Sequence, residues 1–158
     1  MRAEIRLNEL GYSLPSVNSK TLKLLPVKRC NNLLFVSGHG PFKDGKLVYK
    51  GRVGKDITIE EAQEAACLVI LNILASIKKL LGDLDRVEQI IKVQGFINSD
   101  LEFYDQPLVM NAASDMLVSV FGESGKHARS AIGTSVLPGN IPVEIEMILS
   151  ISNDDKNS

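Results

Sequence analysis

The stretch KHARSAIGTSVLPGNIPVEIEMILSI, residues 126–151, reads as two strands joined by a tight turn at Leu137-Pro138-Gly139-Asn140, where proline presets φ for the turn. Successive side chains of a strand point to opposite sides. Val143, Ile145, Met147, Leu149 and Ile151 therefore share one face, and Glu144, Glu146, Ile148 and Ser150 the other. In the first strand Arg129, Ala131, Gly133 and Ser135 share a face, while Ser130, Ile132, Thr134 and Val136 make the greasier one. If both greasy sides meet one core, Arg129 and Glu144 emerge together on the opposite face. The nearly bare backbone of Ala131 and Gly133 then lies between them. A cation, a carboxylate and an uncovered strip of backbone make a pocket floor. A solvated sheet face with scattered charges fits the same alternation, and the pattern alone does not separate the two.

A chain of 158 residues supports one domain with a real core, placed here over residues 1–152. The polar run 153–158 reads as a disordered tail. Apolar residues at 44% and charged residues at 23% are ordinary for a globular protein. No apolar run reaches bilayer length, and the opening MRAEIRLNELG lacks a hydrophobic signal core, so a cytoplasmic protein is expected. Cys30 and Cys67 lie far apart without a CxxC partner. They are expected as buried thiols, not as a disulfide or zinc pair. A net charge of −1 offers no electrostatic pull toward nucleic acid or an anionic membrane.

Before this stretch the elements follow in order. Residues 2–10 read as a short helix stopped by Gly11, and residues 22–30 as a strand that Pro26 demotes to an edge or a bulged one. The apolar run Leu33-Leu34-Phe35-Val36 suggests a strand buried on both faces. Ser37-Gly38-His39-Gly40-Pro41 leaves it through a glycine-rich bend, and Asp44-Gly45 signals a hairpin. Thr58 and Glu61 make a capping box for a helix running to Leu81, stopped by Gly82. Residues 87–97 alternate as a strand, and Asp105 caps a second helix reaching Phe121. Strands, helix, strand, helix and two strands argue an α+β domain with two helices on one face of a mixed sheet. The other face carries Phe96 and Ile148 and needs covering, so a homo-oligomer is expected, with Arg129 and Glu144 at its seam.

Several motifs fail on spacing. Gly122-Glu123-Ser124-Gly125-Lys126 has too few residues between its glycines for a phosphate loop and lacks the Ser/Thr after Lys. His39 and His127 lie on separate segments without further ligands, so no metal is expected. No nucleophile elbow is present. The Arg129/Glu144 pair remains. Arginine on a sheet face is a bidentate clamp for a carboxylate, and a partly buried glutamate is a base for a water. The bland role for both is an ion pair that merely holds the strands.

Ala128-Arg129-Ser130, Leu137-Pro138 and Val143-Glu144-Ile145-Glu146 together resemble the signature of the RidA/YjgF family of reactive-intermediate deaminases, also filed under L-PSP endoribonuclease and translation-inhibitor names. Leu34-Phe35-Val36-Ser37-Gly38 resembles the family's second strand, and Val109-Met110-Asn111-Ala112 its second-helix asparagine. The match runs over residues 22–151, on what looks like a longer branch of the family. The resemblance implies a chorismate-mutase-like fold with a mixed six-stranded sheet, two helices on one face, and a homotrimer with clefts between subunits. It implies hydrolysis of 2-imino (enamine) acids to 2-keto acids and ammonia, with no cofactor and no metal. Arg129 is then the carboxylate clamp and Glu144 the residue that positions water. Ser37, Gly38, His39, Asn111 and Ala131 line the cleft. Leu24 stands where the family's deaminases carry Tyr, and Ala131 where they often carry Cys. These replacements motivate a second expectation, a non-catalytic protein that binds a small keto or amino acid. Ribonuclease activity is a third reading, resting on the family's other name.

Overall fold

The computed structural model describes residues 2–17 and 24–152. Helix α1 spans Arg2–Glu9 and α2 spans Ile59–Leu81, and α3 spans Gln106–Phe121. The strands are β1 Val27–Cys30, β2 Leu33–His39, β3 Phe42–Lys43, β4 Lys46–Leu47, β5 Val87–Asn98, β6 Ala128–Thr134 and β7 Val143–Ile151. Five of them make one sheet in the order β1-β2-β7-β5-β6, and β3-β4 form a separate two-stranded ribbon. The β5–β6 pair is parallel and the other pairs in the large sheet are antiparallel. The α+β class and the mixed sheet stand. The six-stranded sheet does not: the ribbon folds apart on its Asp44-Gly45 turn, whose residues take φ of 51° and 76°.

The capping box forms as its spacing predicts, with Glu61 N–H donating to Thr58 Oγ1 at 3.2 Å and Thr58 N–H to the Glu61 carboxylate at 2.8 Å. Asp105 precedes α3, but its side chain makes no capping bond. Helix α1 docks through its own exposed amides. Arg2 and Ala3 N–H donate to the Asp85 carboxylate at 2.7 and 2.9 Å, and Arg6 Nη1 donates to Val120 O of α3 at 2.9 Å. The expected first strand begins at Val27; residues 22 and 23 and the expected tail lie outside the described residues. Cys30 is exposed and Cys67 half-buried, not the pair of buried thiols expected, because Cys30 ends the edge strand β1.

The decisive correction concerns β6 and β7. They are not neighbours, because β5 lies between them. Across this sheet Arg129, Val93 and Met147 stand in one row, and Ala131, Gly95 and Ile145 in the next. Val93, Ile145 and Met147 are buried in the core, so the Arg129-Ala131-Gly133 side of β6 faces the helices. The greasier side, with Ile132, shares the open face with Phe96 and Glu144. Small residues face the core here because α3 comes close. A Cβ at Gly95 would collide with the Met110 side chain, and one at Gly133 would meet Gln106 Nε2 at 2.7 Å and Ser99 Oγ at 2.9 Å. The run Leu33–Val36 is likewise buried on one face only: Leu34 and Val36 are enclosed, while Phe35 is 41% exposed on the open face.

Met110 is fully buried, so Gly95→Ala overpacks the α3–sheet contact. The expected loss is about 1–3 kcal/mol of unfolding free energy, read from urea midpoints at constant m-value. Wild-type stability in this variant would show that α3 does not depend on the bare backbone at Gly95.

Candidate functional site

Arg129 lies on β6, the edge strand next to β5, with its side chain on the helix side and half-buried. Its Nη1 donates to Asn111 Oδ1 at 3.0 Å and to Ser114 Oγ at 3.1 Å, both on α3. Asn111 and Ser114 are three residues apart, so they project from one helix face toward the same strand. Ser114 also meets His127 Nε2 at 3.0 Å, while His127 Nδ1 lies 2.6 Å from Gly125 O. Arg129 pairs with no carboxylate among the described residues, so the strand-holding ion pair with Glu144 or Glu146 does not occur. Ala131 sits two residues along β6 on the same face, packed against the core.

Glu144 occupies the opposite side of the sheet, in the row of Phe96 and Ile132. The expectation that Arg129 and Glu144 share one face of a protomer is therefore wrong. Two inter-strand steps of roughly 4.8 Å also separate β6 from β7. The reason is the placement of β5 and the core-facing small residues of β6. Burial, and then the charge of Glu146, raise the Glu144 pKa above its ordinary value. Its carboxylate lies over Gly38 of β2, where any Cβ would collide with it. Gly38 sits in a β-bulge, since the β2–β7 register shifts between Val36 and His39. The glycine is needed so that backbone and carboxylate can approach.

Ser37 and His39 flank that glycine. Ser37 donates its hydroxyl to Leu25 O at 2.7 Å. His39 turns to the helix side, with Nδ1 at 2.7 Å from Ser37 O and Nε2 at 2.9 Å from Ser76 Oγ of α2. Both ring nitrogens are engaged, and burial lowers the ring's pKa. His39 is thus a strut between β2 and α2, with no nitrogen left for a ligand. Ser37, Gly38 and His39 line a hollow of about 660 Å³ with Leu24, which is 72% exposed. The predicted residues thus fall into two groups: Arg129, Asn111 and Ala131 at the β6–α3 edge, and Ser37, Gly38, His39 and Glu144 around the β2 bulge. Sequence reasoning missed Ser114 and His127. The i, i+3 spacing from Asn111, and the parity of His127 with Arg129 along the strand, were the available signals.

The family model described as "YjgF/chorismate_mutase-like, putative endoribonuclease" matches residues 4–149. The chain belongs to this family. Protein TCP17 of Trypanosoma cruzi is 35% identical to this chain over 153 residues, covering 96% of each chain. The crystal structure of Atu1372 from Agrobacterium tumefaciens, a protein of unknown function, is 44% identical with a TM-score of 0.88, covering 94% of this chain and 91% of that one. A Shewanella oneidensis protein carrying the same endoribonuclease description is 32% identical with a TM-score of 0.89, covering 94% and 99%. The resemblance to the RidA/YjgF family, expected over residues 22–151, is matched by the family model, which begins earlier, at residue 4. Among the described residues no helix of this family member is long and apolar enough to cross a membrane.

The raised pKa of Glu144 has a stability consequence. The folded protomer holds the Glu144 proton more tightly than the unfolded chain, so this group's contribution falls as pH rises through the folded pKa. Glu144→Gln removes that cost. The variant is expected to melt above wild type at pH 7, with no gain below about pH 4, where the unfolded carboxyl is itself protonated. Thermal unfolding between pH 4 and 8 checks this, and parallel pH profiles for the two proteins would contradict it.

Proposed function

We propose that the protein hydrolyses 2-imino (enamine) acids to 2-keto acids and ammonia at a cleft completed by a second copy of the chain. The observation that carries this reading is the state of Arg129. Of its five N–H groups, those on Nη1 are spent on Asn111 and Ser114. Nε and Nη2 stay without a partner among the described residues, and no acid neutralises the charge. An uncompensated, preoriented guanidinium at a sheet edge is built to receive a carboxylate.

Glu144 supplies the second function from the neighbouring copy. Its raised pKa makes it a better base than an ordinary surface glutamate. With the substrate carboxylate on Arg129, a water held by Glu144 attacks C2 of the polarised C=N bond. Glu144 takes one proton of the water and passes it to the nitrogen, giving a carbinolamine; the new hydroxyl then gives up its proton, by way of Glu144, to the nitrogen, and as C2=O forms the C–N bond breaks to release ammonia. Placement and charge supply the rate, and no step needs a metal or cofactor. The need for two copies follows from the opposite facing of the two groups within one protomer. The open face also asks for a cover, since Phe35 and Ile132 are 41% and 45% exposed on it. A trimer is the assembly proposed.

A 2-imino acid generated in situ should yield keto acid faster with the protein than without it. Arg129→Ala should cost at least about tenfold in kcat/KM, the loss of one charged hydrogen bond being roughly 1.5–3 kcal/mol. Glu144→Gln should cost far more than Glu146→Gln, and the protein should run at three times the protomer mass in light scattering. No acceleration together with carboxylate-induced stabilisation in thermal shift would favour the binding protein without catalysis, which Leu24 and Ala131 suggest. The family's endoribonuclease description would be favoured by RNA cleavage that persists through purification and falls with Arg129→Ala.

A further inference from the structure

We infer that Ser114 and His127 are positioning residues for Arg129, fixing which edge of the guanidinium meets the substrate; the inference rests on Arg129 being the carboxylate clamp. The hydrogen-bond directions follow from chemistry. The Gly125 carbonyl can only accept, so His127 Nδ1 carries a proton and donates across the 2.6 Å contact. In the neutral ring Nε2 is then a lone pair, and Ser114 must point its hydroxyl hydrogen at it over 3.0 Å. With its proton committed, Ser114 turns its oxygen lone pairs outward, and Arg129 Nη1 donates to them at 3.1 Å. Asn111 Oδ1 takes the other Nη1 hydrogen at 3.0 Å.

Nη1 is thereby consumed, and the guanidinium cannot turn about its Nε–Cζ bond without breaking two bonds to α3. The edge left for a bidentate carboxylate is Nε–Nη2. His127 is anchored close behind Gly125, and a Cβ at Gly125 would collide with the Leu117 carbonyl of α3. The imidazole is thus tied to the same helix that carries Asn111 and Ser114. Remove the imidazole and Ser114 is free to rotate its hydrogen toward Arg129, converting an acceptor into a competing donor.

The test uses the whole protein and two readouts. In the ligand-free protein, the side-chain 15N–1H signals of Arg129 should show slow rotation in wild type and Ser114→Thr. They should show averaged signals in Ser114→Ala and weakened restriction in His127→Ala. Titration calorimetry with 2-oxobutanoate should then give about tenfold weaker binding for Ser114→Ala and at least about threefold for His127→Ala, with Ser114→Thr within about twofold of wild type. In turnover the loss should fall on KM, with kcat nearly unchanged. Unaltered Arg129 dynamics and unaltered 2-oxobutanoate affinity in both alanine variants would overturn the positioning role. A wild-type protein that holds Arg129 rigidly yet binds no 2-oxo acid would instead overturn the clamp on which it rests, and would reassign the restraint to strand–helix packing.

Discussion

Helix α3 can lie low on the sheet only where the strands beneath it offer backbone instead of side chain. Gly95 on β5 and Gly133 on β6 provide that room, the first under Met110 and the second under Gln106 and Ser99. The close approach sets Asn111 and Ser114 within hydrogen-bonding distance of Arg129 on the same strand. Lift the helix by the width of a methyl group and both bonds to Nη1 lengthen beyond use. Core packing and the orientation of the guanidinium are therefore one constraint seen from two sides.

That constraint also explains an apparent violation of the hydrophobic pattern. On β6 the larger apolar residue, Ile132, faces away from the helices and is 45% exposed in the protomer, while Ala131 and Gly133 face inward. Burial of apolar area favours the opposite facing by ordinary accounting. The observed one is kept because a bulky core-facing residue would push α3 away. Ile132 then finds its company on the open face beside Phe96, with Phe35 and Ile148 farther across. A surface of that composition is the one the proposed assembly would cover.

Much of this was legible in the sequence, and the failures share a cause. The capping box, the glycine stop after α2, the Asp44-Gly45 turn and the strand expected over residues 87–97 are local signals, and each forms within a residue of where the local chemistry puts it. Strand order is not local. Reading residues 126–151 as adjoining strands led to one shared greasy face, and inserting β5 between them reversed the facing of Arg129 relative to Glu144. The run at Leu33–Val36 misled in a related way: apolar on both sides, it is buried on only one within a protomer. The candidate site was legible as a residue set but not as an arrangement. His39 shows the difference, since the family resemblance set it among the cleft residues while its two nitrogens serve the fold.

The separation of Arg129 from Glu144 carries its own chemical logic. Side by side in a partly buried pocket, a guanidinium and a carboxylate would pair, lowering the carboxylate's pKa and occupying the cation. Each would then be unfit for its proposed task, since a satisfied arginine has no edge for a substrate and a paired glutamate is a poor base. Held on opposite faces, Arg129 keeps its Nε–Nη2 edge unclaimed while Glu144, desolvated and facing the charge of Glu146, has its pKa raised. In the cleft proposed above, the substrate's own carboxylate, in place of Glu144, would satisfy the guanidinium. The glutamate then remains free to act on water. If the site is divided between copies as proposed, neither group is tied to the other by the fold of its own protomer: the charge meant for the guanidinium is the substrate's, and the carboxylate meant for the water is the neighbour's.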